Sequence, residues 1–86
     1  MKHIEVFSRD NCPFCDRAKS LLSSKGVDFD VIDITNDETM AIKMMQRSEQ
    51  RTVPQIFIDN QSIGGYDALA RLNSQGALNK MLGIHA

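Results

Sequence analysis

Three short stretches of the chain carry the β-branched and aromatic residues that are typical of strands. They are HIEVFS at residues 3–8, FDVIDI at residues 29–34 and QIFI at residues 55–58. A fourth, shorter strand at residues 62–63 follows the turn-forming residues 59–61 and can pair with the third strand as a hairpin. The pattern therefore predicts four strands, of which the last two are antiparallel.

The segment between the first two strands has the apolar spacing of a helix. This helix is predicted to begin at Pro13, because proline lacks the N–H group that has no partner at the first helical position. Its apolar stripe consists of Ala18, Leu21 and Leu22. Gly26 fits the position just past the end of the helix.

Further helices are predicted after the second and fourth strands. Thr35 and Glu38 have the spacing of a capping box, which predicts a second helix running through about Gln46. Residues 67–75 and 78–82 predict one or two short helices at the end of the chain. The predicted order is β-α-β-α-β-β-α, in which a right-handed crossover makes the first two strands parallel and the later hairpin makes the sheet mixed. This is an α/β fold.

The size and charge of the chain narrow the possible functions. With 86 residues we expect one domain spanning residues 1–86. Ten Lys and Arg against eleven Asp and Glu leave a net charge of −1, which gives no reason to expect nucleic acid or an anionic membrane as a partner. The opening residues lack a hydrophobic signal core, and no apolar stretch is long enough to span a bilayer. We therefore expect a complete, soluble, monomeric protein in the cytoplasm.

The two cysteines, Cys12 and Cys15, are the residues with the most distinctive chemistry. A disulfide between them would close so short a loop that it would add little stability, so a structural bridge explains the pair poorly. In a cytosolic chain this spacing favours redox or metal chemistry. A zinc site needs four ligands, and the remaining candidates are His3 and His85 at the two ends of the chain. Pro13 at the helix start favours the redox alternative, and no metal is expected.

The predicted helix also gives the two thiols different roles. Cys12 lies at the helix N-terminus, where free N–H groups and the helix dipole lower a cysteine pKa from about 8.5 into the range of about 3.5–7.5. Cys15 lies one turn further in and should keep a higher pKa. A thiolate of low pKa leaves a mixed disulfide easily, which suits a catalyst that must turn over. We therefore predict that Cys12 is the nucleophile and Cys15 the resolving cysteine.

Three blocks of the sequence resemble the dithiol glutaredoxins. They are CPFC at residues 12–15, RTVPQIFI at residues 51–58 and IGGYD at residues 63–67, in the order and spacing of that family. The resemblance implies a thioredoxin-like fold, with a central four-stranded mixed sheet flanked by helices. It also implies glutathione as reductant and the reduction of glutathionylated proteins and protein disulfides, with ribonucleotide reductase as one such target.

The resemblance further implies a groove for glutathione. Its residues would be Arg9, Phe14, Thr52, Val53, Pro54, Gly65, Tyr66 and Asp67. Arg9 would face the carboxylate of the glycine unit. The Val53 backbone would pair with the glutathione cysteine as a short added strand, next to a cis Pro54. Gly65, Tyr66 and Asp67 would meet the γ-glutamyl end, and Asp67 is also expected to cap the following helix.

Two departures from the family pattern bear on the affinity for glutathione. Ala68 stands where the family usually has a second acidic residue after the glycine pair. Ala41 lies near the position where the family often has Arg or Gln toward the glycine carboxylate.

Two other functions are compatible with parts of this pattern. One is a glutaredoxin-like hydrogen donor that is reduced by a thioredoxin reductase, but Arg9 and Asp67 favour glutathione. The other is a carrier of a glutathione-ligated iron–sulfur cluster that bridges two chains through Cys12. The monothiol relatives that do this resemble Cys-Gly-Phe-Ser, whereas this chain has Pro13 and Cys15.

Overall fold

The computed structural model describes residues 2–84, which form four strands and four helices. In chain order these are β1 Ile4–Ser8, α1 Pro13–Ser24, β2 Asp30–Asp33, α2 Glu38–Ser48, β3 Gln55–Ile58, β4 Gln61–Gly64, α3 Tyr66–Ser74 and α4 Ala77–Leu82. The predicted order is confirmed, and element ends differ from the prediction by one or two residues. No helix in this part of the chain is both long and apolar enough to cross a lipid bilayer.

The sheet has the strand order β2-β1-β3-β4, so β1 and β3 are its central strands. β1 is parallel to β2 and antiparallel to β3, and β4 is antiparallel to β3. Phe7 near the end of β1 is in register with Gln55 at the start of β3. The loop that follows β1 and the loop that precedes β3 therefore meet at one end of the sheet.

Alternation along the two central strands divides the core between the faces of the sheet. On one face, Ile4, Val6, Ile56 and Ile58 pack with buried residues of α1, α3 and α4. On the other face, Phe7 and Phe57 pack with Met44 of α2, and the two rings meet edge-on with centroids 5.5 Å apart. The result is the mixed sheet flanked by helices that the resemblance implies.

The predicted cap of the second helix is wrong. The N-cap of α2 is Asp37, whose carboxylate accepts a hydrogen bond from the Met40 amide at 3.1 Å. Thr35 does not cap the helix, because its hydroxyl is used in a different contact. That hydroxyl donates to the Asp33 carboxylate at 2.6 Å and accepts from the Asp10 amide at 2.8 Å.

The predicted cap of the third helix is also wrong. α3 begins at Tyr66 and its N-cap is Gly65, which has no side chain with which to cap it. Asp67 lies inside the first turn of the helix. The helix starts one residue earlier than predicted, so the Asp67 carboxylate is past the position from which a cap is formed.

Candidate functional site

Cys12 is the N-cap of α1 and lies in an extended conformation just before Pro13. Its Sγ accepts a hydrogen bond from the Cys15 backbone N–H at 3.2 Å, and its carbonyl accepts from the Asp16 N–H at 3.1 Å. The sulfur thus occupies the place where a Ser or Asp oxygen usually caps a helix. This is also where the helix dipole favours a negative charge.

The two cysteines differ sharply in exposure. Cys15 is fully buried, whereas Cys12 is partly exposed. The structure is of the oxidised state, in which a disulfide joins the two sulfurs. An attacking or leaving thiol in solution can therefore approach Cys12 more readily than Cys15.

The loop before β3 lies next to this disulfide. The Val53–Pro54 peptide bond is cis, as the resemblance implies. The Val53 carbonyl oxygen is 4.0 Å from Cys12 Sγ, in van der Waals contact. Within residues 2–84 the Val53 N–H has no backbone hydrogen-bond partner. The backbone beside Cys12 therefore offers a free donor and a nearby acceptor to a bound peptide.

A groove of about 420 Å³ runs between this loop and the start of α3. Seven predicted glutathione-binding residues line it, namely Phe14, Thr52, Val53, Pro54, Gly65, Tyr66 and Asp67. Arg9, the eighth, is exposed in the loop before Cys12 and is not among the described residues that line the groove. The volume lies within the range of small-molecule sites. The structure thus brings together all of the predicted set except Arg9.

Five further residues line the groove and were not predicted: Gln50, Ile63, Gly64, Ala68 and Arg71. Gly64 and Ala68 adjoin the predicted set, and Arg71 lies one helical turn after Asp67, so helical spacing could have indicated it. Gln50 lies just before residues 51–58, outside the three blocks that resemble glutaredoxins, and carries no comparable signal.

Two aromatic rings form one rim of the groove. Phe14 is 51% exposed, and its ring lies 6.2 Å from the Tyr66 ring. The Arg17 guanidinium carbon is 5.2 Å from the centre of the Phe14 ring. Such a large exposed ring leaves apolar area that a bound ligand can cover.

Close backbone contacts shape the other rim. Gly64 has φ +114°, and a Cβ at this position would lie 3.2 Å from the Ala68 Cβ. A Cβ on Gly65 would lie 3.5 Å from the Pro54 carbonyl oxygen. Only glycine adopts the Gly64 conformation without strain. The start of α3 is thereby held close to the loop that carries the cis bond.

A tether outside the groove holds the loop that leads to Cys12. The Asp10 N–H donates to the Thr35 hydroxyl, which connects this loop to the segment after β2. Hydrogen bonds from the Thr35 hydroxyl and amide lower the pKa of Asp33, so this carboxylate stays ionised and keeps the hydroxyl oriented.

The histidines considered as zinc ligands lie elsewhere. His3 is exposed just before β1, and its ring is 3.1 Å from the Asp30 carboxylate. His85 lies outside the described residues. Within residues 2–84 no three His, Cys, Asp or Glu side chains come together as metal ligands.

Sequence comparisons place these features in a known family. The family profile described as Glutaredoxin matches residues 4–63. Glutaredoxin 3 of Escherichia coli is 46% identical over 82 residues, which cover 95% of this chain and 99% of that protein. A probable glutaredoxin of Synechocystis sp. is 46% identical over 80 residues, which cover 92% of this chain and 73% of that protein.

Structural comparisons agree. The crystal structure of a buckwheat glutaredoxin–glutathione complex matches with a TM-score of 0.88 at 30% identity, covering 95% of this chain and 77% of that one. The solution structure of a glutaredoxin from Brucella melitensis matches with a TM-score of 0.82 at 39% identity, covering 93% of this chain and 87% of that one. The thioredoxin-like fold, the cysteine pair at the helix start and these matches agree on one conclusion. The chain belongs to the glutaredoxin family of glutathione-dependent thiol–disulfide oxidoreductases.

Proposed function

We propose that Cys12 is the catalytic nucleophile and Cys15 the resolving cysteine of this enzyme. The observation that carries the proposal is the placement of the two sulfurs. Cys12 is partly exposed and its Sγ stands at the N-terminus of α1 next to Val53 of the groove wall, whereas Cys15 is buried. A helix start stabilises the thiolate that must attack and later leave.

The proposed reaction on a glutathionylated protein has two exchange steps. The Cys12 thiolate attacks the glutathione sulfur, so that a Cys12–glutathione disulfide forms while the protein leaves as a thiolate and takes up a proton. The thiolate of a second glutathione then attacks the glutathione sulfur attached to Cys12. Oxidised glutathione leaves, and Cys12 returns as a thiolate.

Protein disulfides require the second cysteine. Attack by Cys12 leaves a mixed disulfide between the enzyme and the substrate. The Cys15 thiolate then attacks Cys12 Sγ, releases the reduced substrate and forms the Cys12–Cys15 disulfide seen in the structure. Two glutathione molecules reduce that disulfide and leave as oxidised glutathione.

The glutathione moiety is proposed to lie along the groove. The Val53 N–H and carbonyl would pair with its cysteine unit, since this backbone has no partner of its own at the N–H in the described residues. Phe14, Thr52, Pro54, Gly65 and Tyr66 form the walls. Asp67 would attract the γ-glutamyl ammonium, and Arg9 would face the glycine carboxylate from outside the groove.

The chain is proposed to be a general intracellular reductant. The chain would act as a single-domain monomer spanning residues 1–86 in the cytoplasm, on glutathionylated or disulfide-containing proteins such as ribonucleotide reductase. Its balanced charge supports neither nucleic acid nor membrane as a partner.

Paired serine substitutions test the two roles. The assay couples a small glutathione mixed disulfide to NADPH oxidation through glutathione and glutathione reductase. Cys12→Ser should abolish turnover of this substrate and of a protein disulfide. Cys15→Ser is the matched control, and it should keep substantial activity on the mixed disulfide but lose most activity on the protein disulfide. Activity of Cys12→Ser, or full protein-disulfide reduction by Cys15→Ser, would contradict the roles.

The comparisons and the cysteine pair do not favour the alternative of an iron–sulfur cluster carrier. The absorbance spectrum of anaerobically purified protein tests this alternative, because a cluster is brown and a dithiol is colourless.

A further inference from the structure

Gln55 is a buried polar residue in an apolar strand. It is the first residue of β3, directly after Pro54, and its side chain is fully buried, as are Ile56, Phe57 and Ile58. Burying an amide costs free energy unless hydrogen bonds replace those it made with water. An apolar side chain would avoid this cost. The amide therefore requires an explanation beyond packing.

The side-chain hydrogen bonds of Gln55 all point toward one loop. Its Nε2 donates to the Thr52 carbonyl oxygen at 2.9 Å and lies 3.4 Å from the Thr52 hydroxyl and 3.3 Å from Gln50 Oε1. Its own Oε1 is buried without a partner in residues 2–84. Three acceptors around the nitrogen fix the orientation of the amide. Gln55 thus keeps an unsatisfied oxygen while its nitrogen binds the loop.

This loop, residues 49–54, is the groove wall beside Cys12. It contains neither helix nor strand, yet Gln50, Thr52 and Val53 all line the groove. A buried hydroxyl fixes its beginning, since Ser48 Oγ accepts from the Gln50 N–H at 3.1 Å. Gln55 fixes its other end. Two of the three buried polar residues in the described chain therefore flank this irregular segment.

We propose that Gln55 is a positioning residue for glutathione recognition, which rests on the proposed binding of glutathione in this groove. By fixing the Thr52 carbonyl and the Gln50 side chain, the buried amide sets the Val53 backbone 4.0 Å from Cys12 Sγ before any ligand arrives. A wall that is already ordered loses less conformational entropy on binding. Gln55 does not line the groove and acts only through the loop.

Gln55→Met tests the proposal, because methionine has a similar length and no N–H donor. We expect the Michaelis constant for a small glutathione mixed disulfide to rise about two- to tenfold, the range that ordering one side chain corresponds to. The kcat and the rate at which iodoacetamide alkylates reduced Cys12 should stay unchanged. Gln61→Met is the matched control, since Gln61 is exposed on β4 and does not line the groove.

The outcomes separate this proposal from the one on which it rests. If the wild-type protein shows no saturable turnover of the glutathione mixed disulfide, the proposed glutathione site itself fails. If the wild-type protein does turn over and Gln55→Met has a lower melting temperature but the same Michaelis constant, Gln55 is merely structural and the positioning role is overturned.

A second measurement needs no variant and applies even if Gln55→Met does not fold. Hydrogen exchange of the Gln55 side-chain amide is followed by NMR in the wild-type protein, with and without glutathione. If Gln55 positions the loop before the ligand binds, its side-chain amide should be strongly protected from exchange in the ligand-free protein. Rapid exchange that slows only when glutathione is added would mean that the ligand orders the loop, and would overturn the proposal.

Discussion

The helices α1 and α3 both begin beside the groove, but their first turns are capped differently. Cys12 caps α1 with its own sulfur, which accepts the Cys15 N–H. α3 begins after Gly65, which has no side chain, so the N–H groups of its first turn remain available to a ligand. In the proposed function, one helix start thus holds the reacting sulfur, and the other binds the charged end of the substrate. The start of α1 is thus proposed to serve the chemical step, and the start of α3 the recognition of the ligand.

The largest expected effect concerns the α1 start. In the reduced protein, iodoacetamide should alkylate Cys12 about tenfold faster than Cys15 at pH 6, because the gain in thiolate fraction exceeds the loss in nucleophilicity at low pKa. Burial of Cys15 widens the gap. Mass spectrometry of the alkylated peptides gives both rates as a function of pH. Equal rates with a common midpoint near pH 8 to 9 would mean that the α1 start does not favour the thiolate.

An intermediate effect concerns the charge at the α3 start. Asp67→Ala should raise the Michaelis constant for a glutathionylated substrate about fivefold, which corresponds to about 1 kcal/mol for an exposed charge pair. Because Asp67 does not cap α3, the matched variant Asp67→Ser should have the same melting temperature as Asp67→Ala and the same raised constant. Differential scanning calorimetry and steady-state kinetics check both. A wild-type Michaelis constant in Asp67→Ser would contradict the role of the charge.

The smallest expected effect comes from giving α3 a cap like that of α1. Gly65→Ser places a hydroxyl at the N-cap, which should stabilise the protein by a few tenths of a kcal/mol. The added Cβ makes only ordinary contact, at 3.5 Å from the Pro54 carbonyl oxygen. The hydroxyl would occupy N–H groups that the ligand needs, so the Michaelis constant should rise about twofold.

Gly65→Ala is the matched control for the cap, because it adds the Cβ without the hydroxyl. Its Michaelis constant should stay closer to that of the wild type than the constant of Gly65→Ser. If both variants change binding equally, the effect arises from the Cβ, and the uncapped N–H groups are not used.

The features that the sequence predicts well depend on neighbouring residues. Pro13 and Gly26 mark the ends of α1 through local backbone preferences, and β3 has the bounds that its apolar run predicts. The position of Cys12 at a helix start follows from the same signals. The structure shows these features as predicted because no distant contact competes with the local preferences.

The features that the sequence analysis misses or predicts wrongly include two that depend on contacts between distant parts of the chain. Thr35 has capping-box spacing, but the Asp10 amide, 25 residues away, uses its hydroxyl, and Asp37 caps the helix instead. The burial of Gln55 likewise follows from the loop that folds over it, which its place in an apolar run does not reveal. Local patterns cannot show which of several polar side chains a tertiary contact will use.

The position of β1 and β3 at the centre of the sheet affects how readily the region around Cys12 and Val53 opens by local unfolding. The loop that ends at Cys12 follows β1, and the loop that carries Val53 precedes β3, so Cys12 and Val53 are attached to adjacent strands with neighbours on either side. Fluctuations that open a protein locally start where few contacts hold the chain, which here means the edge strands β2 and β4. Fraying at these edges is expected to leave the backbone next to Cys12 in place. Cys12 and Val53 are therefore expected to separate only when the whole domain unfolds.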